Sequence, residues 1–167
     1  MSDAERPSYR ILDSNTDAKQ AIVEVLSSAQ QGIAIFDRTP QSLRDREIDR
    51  PANIEIMRQM LLGGRHRTVR VALHETQGIE SELPRLINLM SQFGQQVSIN
   101  RVTGSAREVE DVMLIADDHS VWRKPVFSHP RSIVRLEDRI DARAYVERFT
   151  EIWEGSERAV SDRQAGL

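Results

Sequence analysis

Residues 110 to 118 read Glu-Asp-Val-Met-Leu-Ile-Ala-Asp-Asp, so two pairs of carboxylates bracket one short apolar run. Glu110, Asp111, Asp117 and Asp118 are hard oxygen donors of the kind that Mg²⁺ takes. The run between them reads as a strand that enters an Asp-Asp turn and climbs back through Val121 and Trp122. Asp117 and Asp118 then lie several residues along the strand from Glu110, so the acids are not expected to converge. No metal and no cofactor are expected. The chain has 4 histidines, His66, His74, His119 and His129, and none stands at His-Glu-x-x-His or another close metal-ligand spacing. His119 falls in the predicted turn, where solvent accounts for it.

Two other groups of residues have chemistry to offer. His74, beside Glu75, ends a predicted central strand, and Asp37-Arg38 ends another. Open α/β sheets bind ligands at the carboxyl ends of their strands, which makes Arg38 and His74 candidates for holding an anion. The alternative for His74 is a histidine hydrogen-bonded into the sheet rim. Arg123, Lys124 and Arg131, with His129 between them, form the one local basic cluster. It is suited to phosphate, to a nucleic-acid backbone or to an acidic partner. Few aromatics accompany it, so single-stranded nucleic acid, which needs stacking surfaces, is not the expected ligand. No phosphate-loop, dinucleotide-fingerprint or nucleophile-elbow spacing occurs.

The elements that must position these residues follow from hydrophobic period and punctuation. Ala18, Ile22, Val25, Leu26 and Ala29 predict a helix over about 16–30, capped by Asn15 or Thr16 and ended by Gly32. Ile33 to Phe36 is a short buried strand. Residues 39–50 are dense in charge and read as a loop or short surface helix. Pro51 suits the first turn of a helix that carries Ile54, Met57, Met60 and Leu61 and stops at Gly63-Gly64. Val69, Val71 and Leu73 alternate as a strand. A helix follows over 78–93, with Pro84 near its first turns. Val97, Ile99 and Val102 make a third strand. Hairpin strands are predicted at 111–116 and 121–126, with another strand at 132–136. A closing helix capped by Asp141 carries Tyr145, Val146, Phe149, Ile152 and Trp153. Strands alternating with helices predict one α/β domain, a mixed and mostly parallel sheet flanked by helices on both faces. Polar ends at 1–8 and 156–167 are expected to be flexible around a domain at 9–155.

Bulk properties agree with one such domain. The chain has 167 residues, 39% hydrophobic and 29% charged, and can bury a core. Its net charge of −3 gives no push toward nucleic-acid or membrane phosphates. Of its 23 basic residues only Lys19 and Lys124 are lysine. There is no cysteine, which removes disulfides, thiolate nucleophiles and cysteine metal sites. The first thirty residues contain no apolar signal core, and no stretch has the length of a membrane span, so the expected compartment is the cytoplasm.

The order of elements, with the hairpin at 110–122, resembles one half of a phospholipase D-like fold over most of residues 9 to 155. The helix, glycine and basic-strand passage from Gly63 to Leu73 and the closing Tyr145-to-Trp153 helix are similar to parts of that family. Its motif is His-x-Lys-x4-Asp followed one strand later by Gly-Ser. The resemblance puts Glu110 where the attacking histidine would be and Val112 where the phosphate-holding lysine would be. It keeps Asp117 and puts Lys124-Pro125 in place of Gly-Ser. A carboxylate repels a phosphodiester, and valine has no proton to donate. Nucleophile and anion clamp are both missing. The family's sites need two facing halves, and this chain has the length of one, so the resemblance implies a homodimer or a partner protein. Two functions are therefore carried forward. One is a non-catalytic binding or assembly module. The other is a divergent phosphoryl-transfer or phosphodiester-processing enzyme using Arg38 and His74.

Overall fold

The computed structural model describes residues 9–160. They form an 8-stranded sheet in the order β1-β7-β6-β5-β2-β3-β4-β8. The strands are β1 (Tyr9–Leu12), β2 (Gly32–Asp37), β3 (Thr68–Leu73), β4 (Val97–Val102), β5 (Val112–Ala116), β6 (Ser120–Lys124), β7 (Ser132–Arg135) and β8 (Ser156–Val160). The helices are α1 (Asn15–Ser28), α2 (Pro40–Asp45), α3 (Pro51–Leu62), α4 (Ile79–Glu82), α5 (Pro84–Phe93) and α6 (Arg139–Glu154).

Helices do cover both faces. Strand alternation sends Ile33, Ile35, Val69, Val71, Leu73, Leu114 and Trp122 to one face, where they pack with Ile22, Leu26, Met57 and Leu86 from α1, α3 and α5. Phe36, Ala72, Met113, Ile115 and Val121 point to the other face, against Ala142, Phe149 and Ile152 of α6.

The sheet is mixed but not mostly parallel. Only β2–β3 and β3–β4 run parallel, and the other five pairings are antiparallel. A parallel neighbour needs a long crossover, usually a helix. α2 with α3, and α4 with α5, provide two such crossovers. Beyond β4 the chain has only a short 3-10 turn at Gly104–Glu108 before β5, which returns beside β2 in the opposite direction. A tight turn at 117–119 then makes β6 antiparallel to β5, and the loop 125–131 makes β7 antiparallel to β6.

Several local expectations also shift. Ser14, rather than Asn15 or Thr16, caps α1 by accepting from the Asp17 amide at 3.1 Å. Asp138, rather than Asp141, caps α6, accepting from the Asp141 amide at 2.9 Å. The helix expected over 78–93 is broken at Leu83 (φ −130°, ψ 56°), because proline disfavours a helical conformation in the residue before it. The buried Asp49 carboxylate caps the restarted helix, accepting from Leu86 N at 2.7 Å and Arg85 N at 3.3 Å. Two edge strands come from segments too short or too polar to be marked by pattern. β1 pairs with β7 at one edge. β8 pairs with β4 at the other, where a flexible tail from 156 was expected. The expectations for 1–8 and 161–167 lie outside the described residues.

Candidate functional site

The carboxyl ends of β2, β3, β4 and β6 share one rim of the sheet with the start of β5, which runs the other way. Asp37 organises the middle of this rim and is fully buried. Its carboxylate accepts from the Arg38 amide at 2.7 Å and from the Ser42 hydroxyl at 3.0 Å. The Arg46 fork donates from Nε at 2.6 Å and from Nη2 at 3.3 Å. The turn after β2 can hold Arg46 there because Thr39 and Ser42 form a reciprocal capping box at the start of α2. A charge-assisted fork of this kind compensates a buried carboxylate that would otherwise be costly.

Arg38 and His74 do come to the same rim. The Arg38 guanidinium lies 4.0 Å above the Phe127 ring, and Nη1 donates to the Val109 carbonyl at 3.3 Å. His74 is 5% exposed and stacks on Phe36 with ring centroids 5.2 Å apart. Backbone bonds from His74 N to Asp37 O and from Glu75 N to Arg38 O extend the parallel pairing past the strand ends. Burial, then the positive charges of Arg38 and Arg107, push the His74 pKa below its ordinary 6.5. Asp37 and the Arg107 backbone oppose them without winning. The ring is thus held neutral. Its Nε2 is buried and has no hydrogen-bond partner among the described residues. Arg107 itself is paired with Glu75.

Glu110, Val112 and Asp117, the positions that the resemblance sets against the motif, are dispersed by the same strands. Glu110 is exposed and contributes its backbone carbonyl, which accepts from Phe127 N at 3.0 Å. Val112 is buried in the core at 1% exposure. Asp117 lies beyond the far end of β5, a strand of 5 residues. At roughly 3.3 Å per residue that is about 17 Å from the rim. Asp117 adopts φ 55° and accepts from the amides of Gln30, Gln31 and Gly32, at 2.7 to 3.2 Å. Burial favours the protonated acid, but those amides and His119 outweigh it and hold the carboxyl below its ordinary range. His119 lies 3.2 Å from this carboxylate and is mostly covered, so it is not the solvated turn residue expected. Asp111 pairs with Arg148 at 2.7 Å, and Asp118 with Arg139 at 3.3 Å. Among the described residues no group of three or more His, Cys, Asp and Glu could hold a metal ion.

The basic cluster divides as well. Consecutive strand residues face opposite ways. Arg123 lies 5.1 Å from the Tyr145 ring centroid on the α6 face, while Lys124 turns to the α1 face. Lys124 is the direct cross-strand partner of Val112. A cation is therefore present on the strand beside position 112. Arg131 is exposed at the β1–β7 edge and pairs with Asp13 at 3.3 Å. Arg46, Arg107 and Phe127 belong to the rim and were not singled out from sequence. Arg46 and Arg107 sit in charged or irregular segments whose spacing carries no signal.

The family model described as a domain of unknown function, DUF7931, matches residues 14–164. The chain belongs to that family. No curated protein sequence matches this DUF7931 domain. Solved structures do. TrmBL2, an archaeal chromatin protein described as showing a novel mode of DNA binding, has a TM-score of 0.62 at 18% identity. That match covers 93% of this chain but 55% of TrmBL2, so the chain spans about half of it. Nuc from Salmonella typhimurium, a phospholipase D family member, has a TM-score of 0.61 at 15% identity, covering 93% of this chain and 100% of Nuc. NucT from Helicobacter pylori has a TM-score of 0.59 at 13% identity, covering 90% and 98%. The DUF7931 domain has a phospholipase D-like fold.

Proposed function

We propose that the chain is a non-catalytic phospholipase D-like domain that acts in binding or assembly. The observation that carries this reading is the state of the rim. An exposed carboxylate stands at 110, a buried valine at 112, and the rim's own imidazole is packed flat on Phe36 without an acid touching it. Phosphodiester cleavage needs a nucleophile with a proton partner and donors aimed at the phosphate oxygens. Positions 110 and 112 offer neither. The test is metal-independent hydrolysis of a chromogenic phosphodiester. The expected rate is that of buffer alone. Turnover that one substitution in this chain abolishes would overturn the reading.

In the same reading the domain pairs with a second copy or a partner protein, as one half of a two-half architecture. It takes an anionic ligand rather than nucleic acid. TrmBL2 is described as a DNA-binding protein, but here the net charge is −3, and Arg101, Arg107, Arg131, Arg139, Arg143 and Arg148 are each already paired with an acid. The cytoplasm is the proposed compartment. No helix among the described residues is long and apolar enough to cross a membrane.

One observation favours a second reading as a divergent phosphoryl-transfer enzyme. A neutral, buried His74 with a free Nε2 beside Arg38 has the character of a general base. On that reading His74→Ala abolishes an activity while the domain stays folded. A variant that merely melts earlier assigns the histidine to packing.

A further inference from the structure

We propose that the cleft between α1, α2 and the end of β6 binds a small organic dianion through Lys124, Lys19 and Arg46. This names a ligand class for the binding module and rests on that reading. The cleft has a volume of about 490 Å³, in the range that encloses small ligands. Lys124 lines it at 6% exposure and makes no hydrogen bond or ion pair among the described residues. The stem is covered, while the ammonium opens to the cleft with only the more distant Asp37 to offset its charge, which points to an anionic ligand there. Burial, then Arg46, push its pKa below the ordinary 10.5, against the pull of Asp37.

The remaining lining residues fit the same class. Lys19 stands at the mouth, 3.7 Å from Glu47 and partly exposed. The chain's only two lysines thus line one cleft, while every other basic residue is arginine. Lysine is a compact, mobile point charge, suited to an oxyanion that arrives from water. Arg46 is committed to Asp37 by its fork, and Asp45 is the one acid among the lining residues. Lys19 and Arg46 are each paired with an acid, Glu47 and Asp37, whereas Lys124 has no ion pair among the described residues. Asn15 adds a neutral donor. Ala18, Ile22 and Phe127 give an apolar wall for the body of the ligand.

The test uses the full chain with inorganic phosphate, glycerol 3-phosphate and succinate as probes, and sodium chloride at matched ionic strength as control. At least one probe is expected to raise Tm with concentration and to give a saturable calorimetric isotherm, while chloride does not. A response to the phosphates alone identifies a phosphate monoester, and one to succinate alone a dicarboxylate. Lys124→Met is expected to weaken binding by about tenfold or more, the scale of one charged hydrogen bond. The same variant should leave the unliganded domain folded, because methionine keeps the apolar stem of the side chain. Lys19→Gln, at a partly exposed position, is expected to weaken binding about threefold while leaving the fold unchanged. No shift with any probe, or unchanged affinity in both variants, overturns the proposal. Phosphodiester turnover, measured in parallel, overturns only the non-catalytic reading, so the two failures are distinguishable.

Discussion

Asp117 and His74 illustrate how differently two titratable residues of one sheet are used. Asp117 acts as an anchor, its carboxylate closing the α1–β2 loop through three backbone amides. Asp117→Ala is expected to cost about 2–3 kcal/mol in urea unfolding, because it leaves charge-assisted bonds unmade. Asp117→Asn should cost less, since asparagine tolerates the left-handed backbone and keeps one acceptor oxygen. The folded pKa lies below the ordinary 3.8, so the stabilisation is complete above that value and is lost as pH falls through the folded pKa. His74 also titrates below its unfolded value, but here the folded state excludes the proton. Its contribution is complete above pH 6.5 and declines as pH falls below it. His74→Phe, which keeps an aromatic ring on Phe36, should flatten that decline. Nuclear magnetic resonance titration of the wild-type ring is expected to give a midpoint below 6.5. A midpoint at or above it contradicts the arrangement at the rim.

At the scale of elements, the edge strands decide more than their composition suggests. β8 covers the open edge of β4 and buries Val160 at 4% exposure. Asn100 donates to the Ser156 hydroxyl at 2.9 Å, and Arg101 pairs with Glu157. Truncation after Gly155 is expected to destabilise the domain by at least about 1.5–3 kcal/mol, the value of one buried valine. It should also speed amide exchange across β4. Unchanged exchange in β4 would show that this edge does not depend on β8.

For the whole molecule, the central prediction is its oligomeric state. One 19.1 kDa chain provides a single rim, and the phospholipase D-like architecture is read here as one half of a pair. Sedimentation equilibrium is expected to give twice the chain mass in the absence of other proteins. A purely monomeric species would require a different protein to supply the second half.

How much was legible in the residues depended on the range of the interactions involved. Helical and strand periods identified α1, α3, α6 and strands β2 to β7, because burial of one face acts within a few residues and leaves a repeat that can be counted. The same local signals brought Arg38 and His74 to strand ends. The four residues of β1 are too few to show a repeat and β8 is mostly polar, so only their neighbours make them strands. Sheet direction was misjudged because direction follows from the crossovers that join strands, and the connection from β4 to β5 is a short turn rather than a helix. Arg46 reached Asp37, and Lys124 turned away from Arg123, through strand alternation combined with the packing of α1 and α2. Spacing along a chain constrains which residues share a face. Which cations meet across a cleft is settled only when distant segments pack, because charge acts through space.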